Sequence, residues 1–130
     1  MATSYRDLLD RIRANIREVD PAEADALRRS GALMVDIREQ DEVEQGMVTG
    51  GVHIPRGYLE LRIEEVDADR ERPVVIYCAG GVRSAFAVRA LQDLGYRDVV
   101  SLSGGFSGWK AAGMPWQLPK TLTADQRRRY

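Results

Sequence analysis

The chain carries one cysteine, Cys78, and one histidine, His53, so any thiol chemistry falls to Cys78 alone, with neither an internal disulfide nor a metal-ligand cluster to share it. Cys78 follows the apolar run Val74-Val75-Ile76-Tyr77 and precedes Ala79-Gly80-Gly81-Val82-Arg83-Ser84. That order puts a thiol at the carboxyl end of a buried strand, where open α/β sheets hold their ligands. Gly80 and Gly81 permit backbone angles that turn successive N–H groups inward as a cup, and a cup of donors favours an anion. A helix opening at Ser84 would aim its positive end at the sulfur, and Arg83 would add a formal charge. Both lower the thiol pKa and favour the nucleophilic thiolate. The commoner fate of a lone cysteine is to serve as a small buried hydrophobe, but strand, cysteine, glycine turn, arginine and helix in succession argue against that here.

The elements that must position this thiol follow from the pattern around it. Ala32 to Val35, Pro73 to Tyr77 and Val99 to Leu102 are short apolar runs without alternation, as expected of strands buried on both faces of a parallel sheet. Helical stretches lie between them, at Leu59 to Val66, at Ser84 to Leu94 before Gly95, and at Phe106 to Ala112 before Gly113 and Pro115. Asp20-Pro21-Ala22-Glu23 supplies an N-cap, a proline at the first helical position and a glutamate placed to close a capping box, with Gly31 ending that helix. Strands alternating with helices predict an α/β domain with a central, mainly parallel sheet flanked by helices on both faces. Tyr5, Leu8, Leu9, Ile12, Ile16 and Val19 recur at helical spacing, so residues 1–19 read as an amphipathic N-terminal helix, 20–116 as the domain, and 117–130, with Pro119 and Arg127-Arg128-Arg129, as a linker or tail.

Composition excludes several classes of partner. The 130 residues carry a formal net charge of −1 with 30% charged and 44% hydrophobic residues, and the charges are interspersed. No field of one sign attracts nucleic acid or anionic lipid. No apolar stretch approaches the ~20 residues of a membrane span, and Met1 to Asp10 lacks a basic region followed by an apolar one, so a cytoplasmic location is expected.

Cys78-Ala79-Gly80-Gly81-Val82-Arg83-Ser84 resembles the C-x-x-G-x-R-S active-site loop of single-domain rhodaneses. Val35-Asp36-Ile37-Arg38-Glu39 is similar to that family's D-V-R-E, and Leu102-Ser103-Gly104-Gly105 with Trp109 to its L-x-G-G-x-x-x-W. Val52-His53-Ile54-Pro55-Arg56-Gly57 resembles the family's second-strand segment, while the usual G-H-I-P-G-A before it stands here as Gly46-Met47-Val48-Thr49-Gly50-Gly51, so no role of that histidine is carried over. His53 itself reads as a structural residue. For Asp36 and Arg38 two roles stand open, orienting the loop or forming a structural ion pair. Trp109 reads as a wall of the pocket or, more in keeping with its helical spacing, a core anchor, and the glycines at 104 and 105 as a tight turn.

The resemblance implies a sulfurtransferase that needs neither metal nor organic cofactor. Cys78 would take a sulfur atom as a persulfide from a small donor such as thiosulfate, or from a protein persulfide, and residues 79–84 would cradle it until a nucleophilic acceptor removes it. Rival readings are a Cys-dependent phosphatase or arsenate reductase on the same fold, and a non-catalytic rhodanese-like binding module. Related phosphatases carry C-x5-R, whereas four residues separate Cys78 from Arg83 here, which makes a smaller cup. The tail Leu122-Thr123-Ala124-Asp125-Gln126-Arg127-Arg128-Arg129-Tyr130 resembles the opening of adenylyltransferases of the ubiquitin-activating type. That resemblance implies an adenylyltransferase domain and a sulfur-carrier protein as partners.

Overall fold

The structure, a computed structural model, describes residues 3–119. Seven strands and six α-helices follow one another: α1 Tyr5–Ala14, β1 Arg17–Val19, α2 Pro21–Arg29, β2 Leu33–Asp36, α3 Gln40–Val43, β3 Met47–Val48, β4 Val52–His53, α4 Leu59–Val66, β5 Val74–Tyr77, α5 Val82–Asp93, β6 Val99–Leu102, α6 Gly105–Ala111 and β7 Trp116–Gln117. A 3-10 turn, Arg56–Tyr58, leads into α4.

Five strands form one sheet in the order β1-β6-β5-β2-β4, and every neighbouring pair is parallel. β2, β5 and β6 are buried along their whole length, which is why their sequences show no alternation. One face packs Leu59 and Ile63 of α4 and Ala87, Val88 and Leu91 of α5. The other packs Ala24 of α2 and Phe106 and Trp109 of α6. Helices thus cover both faces. β3 and β7 stand apart as a short antiparallel ribbon.

β5 is the central strand. The chain leaves it toward β6 on one side, while it leaves β2 toward β4 on the other. Diverging connections open a crevice beyond the carboxyl ends of β2 and β5, and Cys78 is the first residue after β5.

Two expectations are corrected at the N-terminus. Residues 1–19 do not form one helix: α1 stops at Ala14, where the Asn15 amide donates to Ile12 O, and residues 17–19 run as an edge strand beside β6. Val19 belongs to the sheet core and Ile16 packs against the α4–α5 side, so both continue the helical spacing by coincidence. The stripe of α1 itself does pack, with Leu9 and Ile12 against Val82, Ala85 and Phe86 of α5. At α2, Asp20 caps the Glu23 amide at 2.8 Å, but the Glu23 carboxylate pairs with Arg17 instead of closing a box. The reciprocal box belongs to α3, between Glu39 and Glu42. In the segment read as a linker or tail, Gln117 is paired with Met47, and residues 120–130 lie outside the described residues. No helix among the described residues is long and apolar enough to cross a membrane.

Candidate active site

The turn after β5 is shorter than its sequence suggests, because α5 begins at Val82 instead of Ser84. Ala79, Gly80 and Gly81 are all that separates Cys78 from the helix, and Arg83 and Ser84 lie in its first turn. Gly81 is the N-cap, with φ of +100°, a conformation that a side chain disfavours. Gly80 is different. Its φ is not positive and a Cβ built on it would meet nothing within 4 Å, so it is exposed and unstrained.

Cys78 is 1% exposed. The Gly81 amide donates to Sγ at 3.1 Å, and the Ser84 hydroxyl lies 3.5 Å from Sγ. Burial alone would push the thiol pKa up, yet the Ser84 hydroxyl and the amides of Ser84, Gly81 and Gly80 outweigh it and hold the pKa below its ordinary value. The amides around the start of α5 and the Ser84 hydroxyl thus favour the thiolate form of this buried sulfur.

Arg83, read from the sequence as adding a formal charge near the sulfur, is held chiefly by Glu42. Its two terminal nitrogens donate to the two Glu42 oxygens at 2.8 and 2.9 Å. This fork, more than the charge of Cys78, holds Arg83 protonated. Arg83 in turn, with the Glu39 amide assisting, holds the Glu42 carboxyl down at about 2 against an opposing effect of burial. The thiolate is stabilised by dipoles and a hydroxyl first, and Arg83 anchors the start of α5 to α3.

The loop is also gripped from α6. Phe106 N donates to Cys78 O at 2.8 Å and Ser107 N to Ala79 O at 3.2 Å. For those amides to come so close, the helix must start on a residue without a side chain. A Cβ at Gly105, whose φ is +57°, would stand 2.5 Å from Cys78 O and 2.6 Å from Ala79 O. Gly104 and Gly105 thus do more than make a turn: Gly105 is where α6 meets the cysteine loop.

Asp36 and Arg38 form a structural ion pair. Arg38 Nη2 donates to Asp36 Oδ2 at 2.7 Å and to Gly46 O at 2.6 Å, and both residues are buried. Among the described residues, their side-chain hydrogen bonds reach none of residues 78–84. Arg38 meets the loop at second hand, its guanidinium lying 4.4 Å from the centre of the Phe106 ring and 6.0 Å from that of Tyr77. His53 Nε2 lies 2.7 Å from Arg38 O, consistent with a structural histidine. Trp109 is fully buried and its Nε1 donates to Pro115 O, as a core anchor does. A cleft of about 410 Å³ lies between α3 and α6, lined by Arg38, Glu42, Gln45, Phe106, Ser107 and Lys110.

The residues missed at the sequence level are therefore Glu42, Gly105 as a contact to the loop, and Ser101, whose Oγ lies 2.8 Å from Ser84 Oγ. The signal for Ser101 was a lone hydroxyl in the run Val99-Val100-Ser101-Leu102. Glu42 carried none beyond its capping spacing from Glu39.

Residues 20–112 match the model of the rhodanese-like domain family. A sulfurtransferase of Allochromatium vinosum is 39% identical over 88 residues, covering 68% of this chain and 80% of that protein. The thiosulfate sulfurtransferase GlpE of Pseudomonas fluorescens is 36% identical over 97 residues, 75% of this chain and 87% of its own. Among solved structures, a Rhodopseudomonas palustris protein of unknown function, named a "possible tyrosine phosphatase", superimposes with a TM-score of 0.82 at 34% identity, covering 90% of this chain and 96% of its own. With the family match, the parallel sheet and the two sulfurtransferase relatives in agreement, the chain belongs to the rhodanese-like domain family, as an enzyme of the sulfurtransferase class.

Proposed function

We propose that the chain moves a sulfane sulfur from a thiosulfate-like donor or a protein persulfide to a nucleophilic acceptor through a persulfide on Cys78. The Cys78 thiolate attacks the outer sulfur of thiosulfate. A new S–S bond forms while the donor's S–S bond breaks, and sulfite leaves with the electron pair. The acceptor's lone pair then attacks the terminal sulfur and Sγ departs as thiolate, so the cycle balances without an external oxidant or reductant. In the intermediate, the terminal sulfur is the anion that the amides of Gly80, Gly81 and Ser84 stabilise, at no cost in reorganisation because the turn is already formed.

The observation that carries this reading is the Gly81 amide at 3.1 Å from a buried Sγ, with the thiol held below its ordinary pKa. Two features weigh against phosphoryl transfer. The turn from Cys78 to Arg83 is one residue shorter than C-x5-R, and both terminal nitrogens of Arg83 are engaged by Glu42, leaving it turned away from a tetrahedral oxyanion. A sulfur-carrier protein as acceptor rests only on the resemblance of the tail, Leu122 to Tyr130.

Thiocyanate formation from thiosulfate and cyanide tests the reading. The wild type is expected to turn over and Cys78→Ser to show none. Hydrolysis of p-nitrophenyl phosphate by the wild type, without thiocyanate formation, would replace sulfur transfer with the phosphatase alternative.

A further inference from the structure

Two hydroxyls and the Cys78 sulfur lie in a line closed to solvent. Ser84 Oγ is 3.5 Å from Sγ and 2.8 Å from Ser101 Oγ, and both serines are fully buried. Ser101 comes from β6, opposite Ile76 of β5. Side chains alternate along a strand. Val99 packs with the α4–α5 cluster while Val100 and Leu102 pack with α2 and α6, so Ser101 falls on the α5 side, where Ser84 is. Packing alone calls for an apolar side chain at that place, as it does at the other three positions of β6.

The direction of the protons follows from the partners. Among the described residues, Ser84 Oγ is the one hydrogen-bond partner of the Ser101 hydroxyl. Were Ser84 to donate to Ser101, the Ser101 proton would be a buried donor without an acceptor, an arrangement that folded proteins avoid. Ser101 therefore donates to Ser84; the thiol donates to Ser84 Oγ, and once Cys78 is a thiolate the Ser84 proton is left to point at the sulfur. A thiolate accepts that bond strongly and a thiol only weakly.

We propose that Ser101 is a positioning residue for the sulfur chemistry, its hydroxyl setting the direction of the Ser84 hydroxyl so that the Cys78 thiolate faces an O–H donor. The chain of two hydroxyls ends at Ser101 with no further acceptor, which makes it a one-way donor line. It favours the thiolate before sulfur is taken up, and again when Sγ departs from the persulfide. The use of the device rests on the sulfurtransferase reading, whereas its existence does not.

The test compares Ser101→Val with Ser101→Thr, two side chains of similar shape of which only threonine keeps the hydroxyl. The readout is the pH dependence of Cys78 alkylation by iodoacetamide, with thermal unfolding of each variant measured alongside. In Ser101→Val the midpoint is expected to rise by about half a unit to one unit, a roughly three- to tenfold loss of alkylation rate below the midpoint, one unit being tenfold. Ser101→Thr is expected to stay within about 0.2 unit of the wild type. Equal midpoints for the two variants would overturn the proposal. If Ser101→Val does not fold, Ser101→Ala takes its place, and a midpoint equal to that of the wild type overturns the proposal in the same way. Should the midpoints separate as expected while thiosulfate loads no sulfur on the wild type, the donor line stands and the sulfurtransferase reading fails.

Discussion

Glu42 holds Arg83 by a two-toothed grip, Oε1 at 2.8 Å and Oε2 at 2.9 Å, tying α3 to the first turn of the helix that starts at the cysteine. Glu42 Oε1 also accepts the Glu39 amide at 3.0 Å, so one carboxylate closes α3 and anchors α5.

This pair makes a pH signature. The Glu42 carboxyl falls from an ordinary 4.5 to about 2 in the folded chain. A group depressed on folding contributes stability that is fully present above its unfolded value and fades as pH falls through the folded one. Glu42→Gln should therefore be less stable than the wild type above about pH 4.5, with the gap closing toward pH 2. Because both side chains are partly solvated, the gap should be about 1 kcal/mol or less. Urea unfolding of both proteins between pH 2 and pH 7, in roughly one-unit steps, reads it directly.

Gly105 and Gly80 should respond in opposite ways to alanine. At Gly105 the new Cβ meets the carbonyls of Cys78 and Ala79 at 2.5 and 2.6 Å in a left-handed backbone, so Gly105→Ala should cost about 2 kcal/mol or more and displace the loop. Gly80 has open space and an ordinary φ, and Gly80→Ala keeps the amide. It should retain thiocyanate-forming activity and lose no stability, with a gain of about 0.4–1 kcal/mol if the backbone accepts alanine freely. Thermal unfolding and turnover of the two variants decide it.

Asp36→Asn should be a stability variant. It strands a buried guanidinium beside a neutral amide, and breaking a buried pair from one side costs about 3–5 kcal/mol. The pair meets the loop through the neighbouring Phe106 and Tyr77 rings and not by a hydrogen bond to residues 78–84, so the folded fraction should keep turnover within about threefold of the wild type. Denaturation midpoints and kcat per folded molecule separate the two effects.

The strands carrying the site were legible because β2, β5 and β6 are buried on both faces and their apolar runs say so. The cysteine loop was legible because glycine, arginine and serine follow Cys78 at a spacing with a chemical purpose. What escaped was whatever depends on distant pairing. β1 is three residues long and its Val19 extends the helical spacing of α1, so nothing local separates it from the helix. The start of α5 is set by Gly81 in its left-handed conformation, and a sequence shows that glycine without showing its φ. Arg83 was read as a charge near the sulfur because Cys78 is near it in the chain. Glu42, forty-one residues away in sequence, takes the guanidinium instead.

The central claim is that Cys78 carries sulfur, and intact mass measures it most directly. The protein is incubated with thiosulfate, freed of small molecules, weighed, treated with cyanide and weighed again, with Cys78→Ser as control. The wild type should gain the mass of one sulfur atom, about 32 Da, and lose it to cyanide, while Cys78→Ser gains nothing. Absence of added sulfur on the wild type, from thiosulfate and from a protein persulfide alike, would contradict the account.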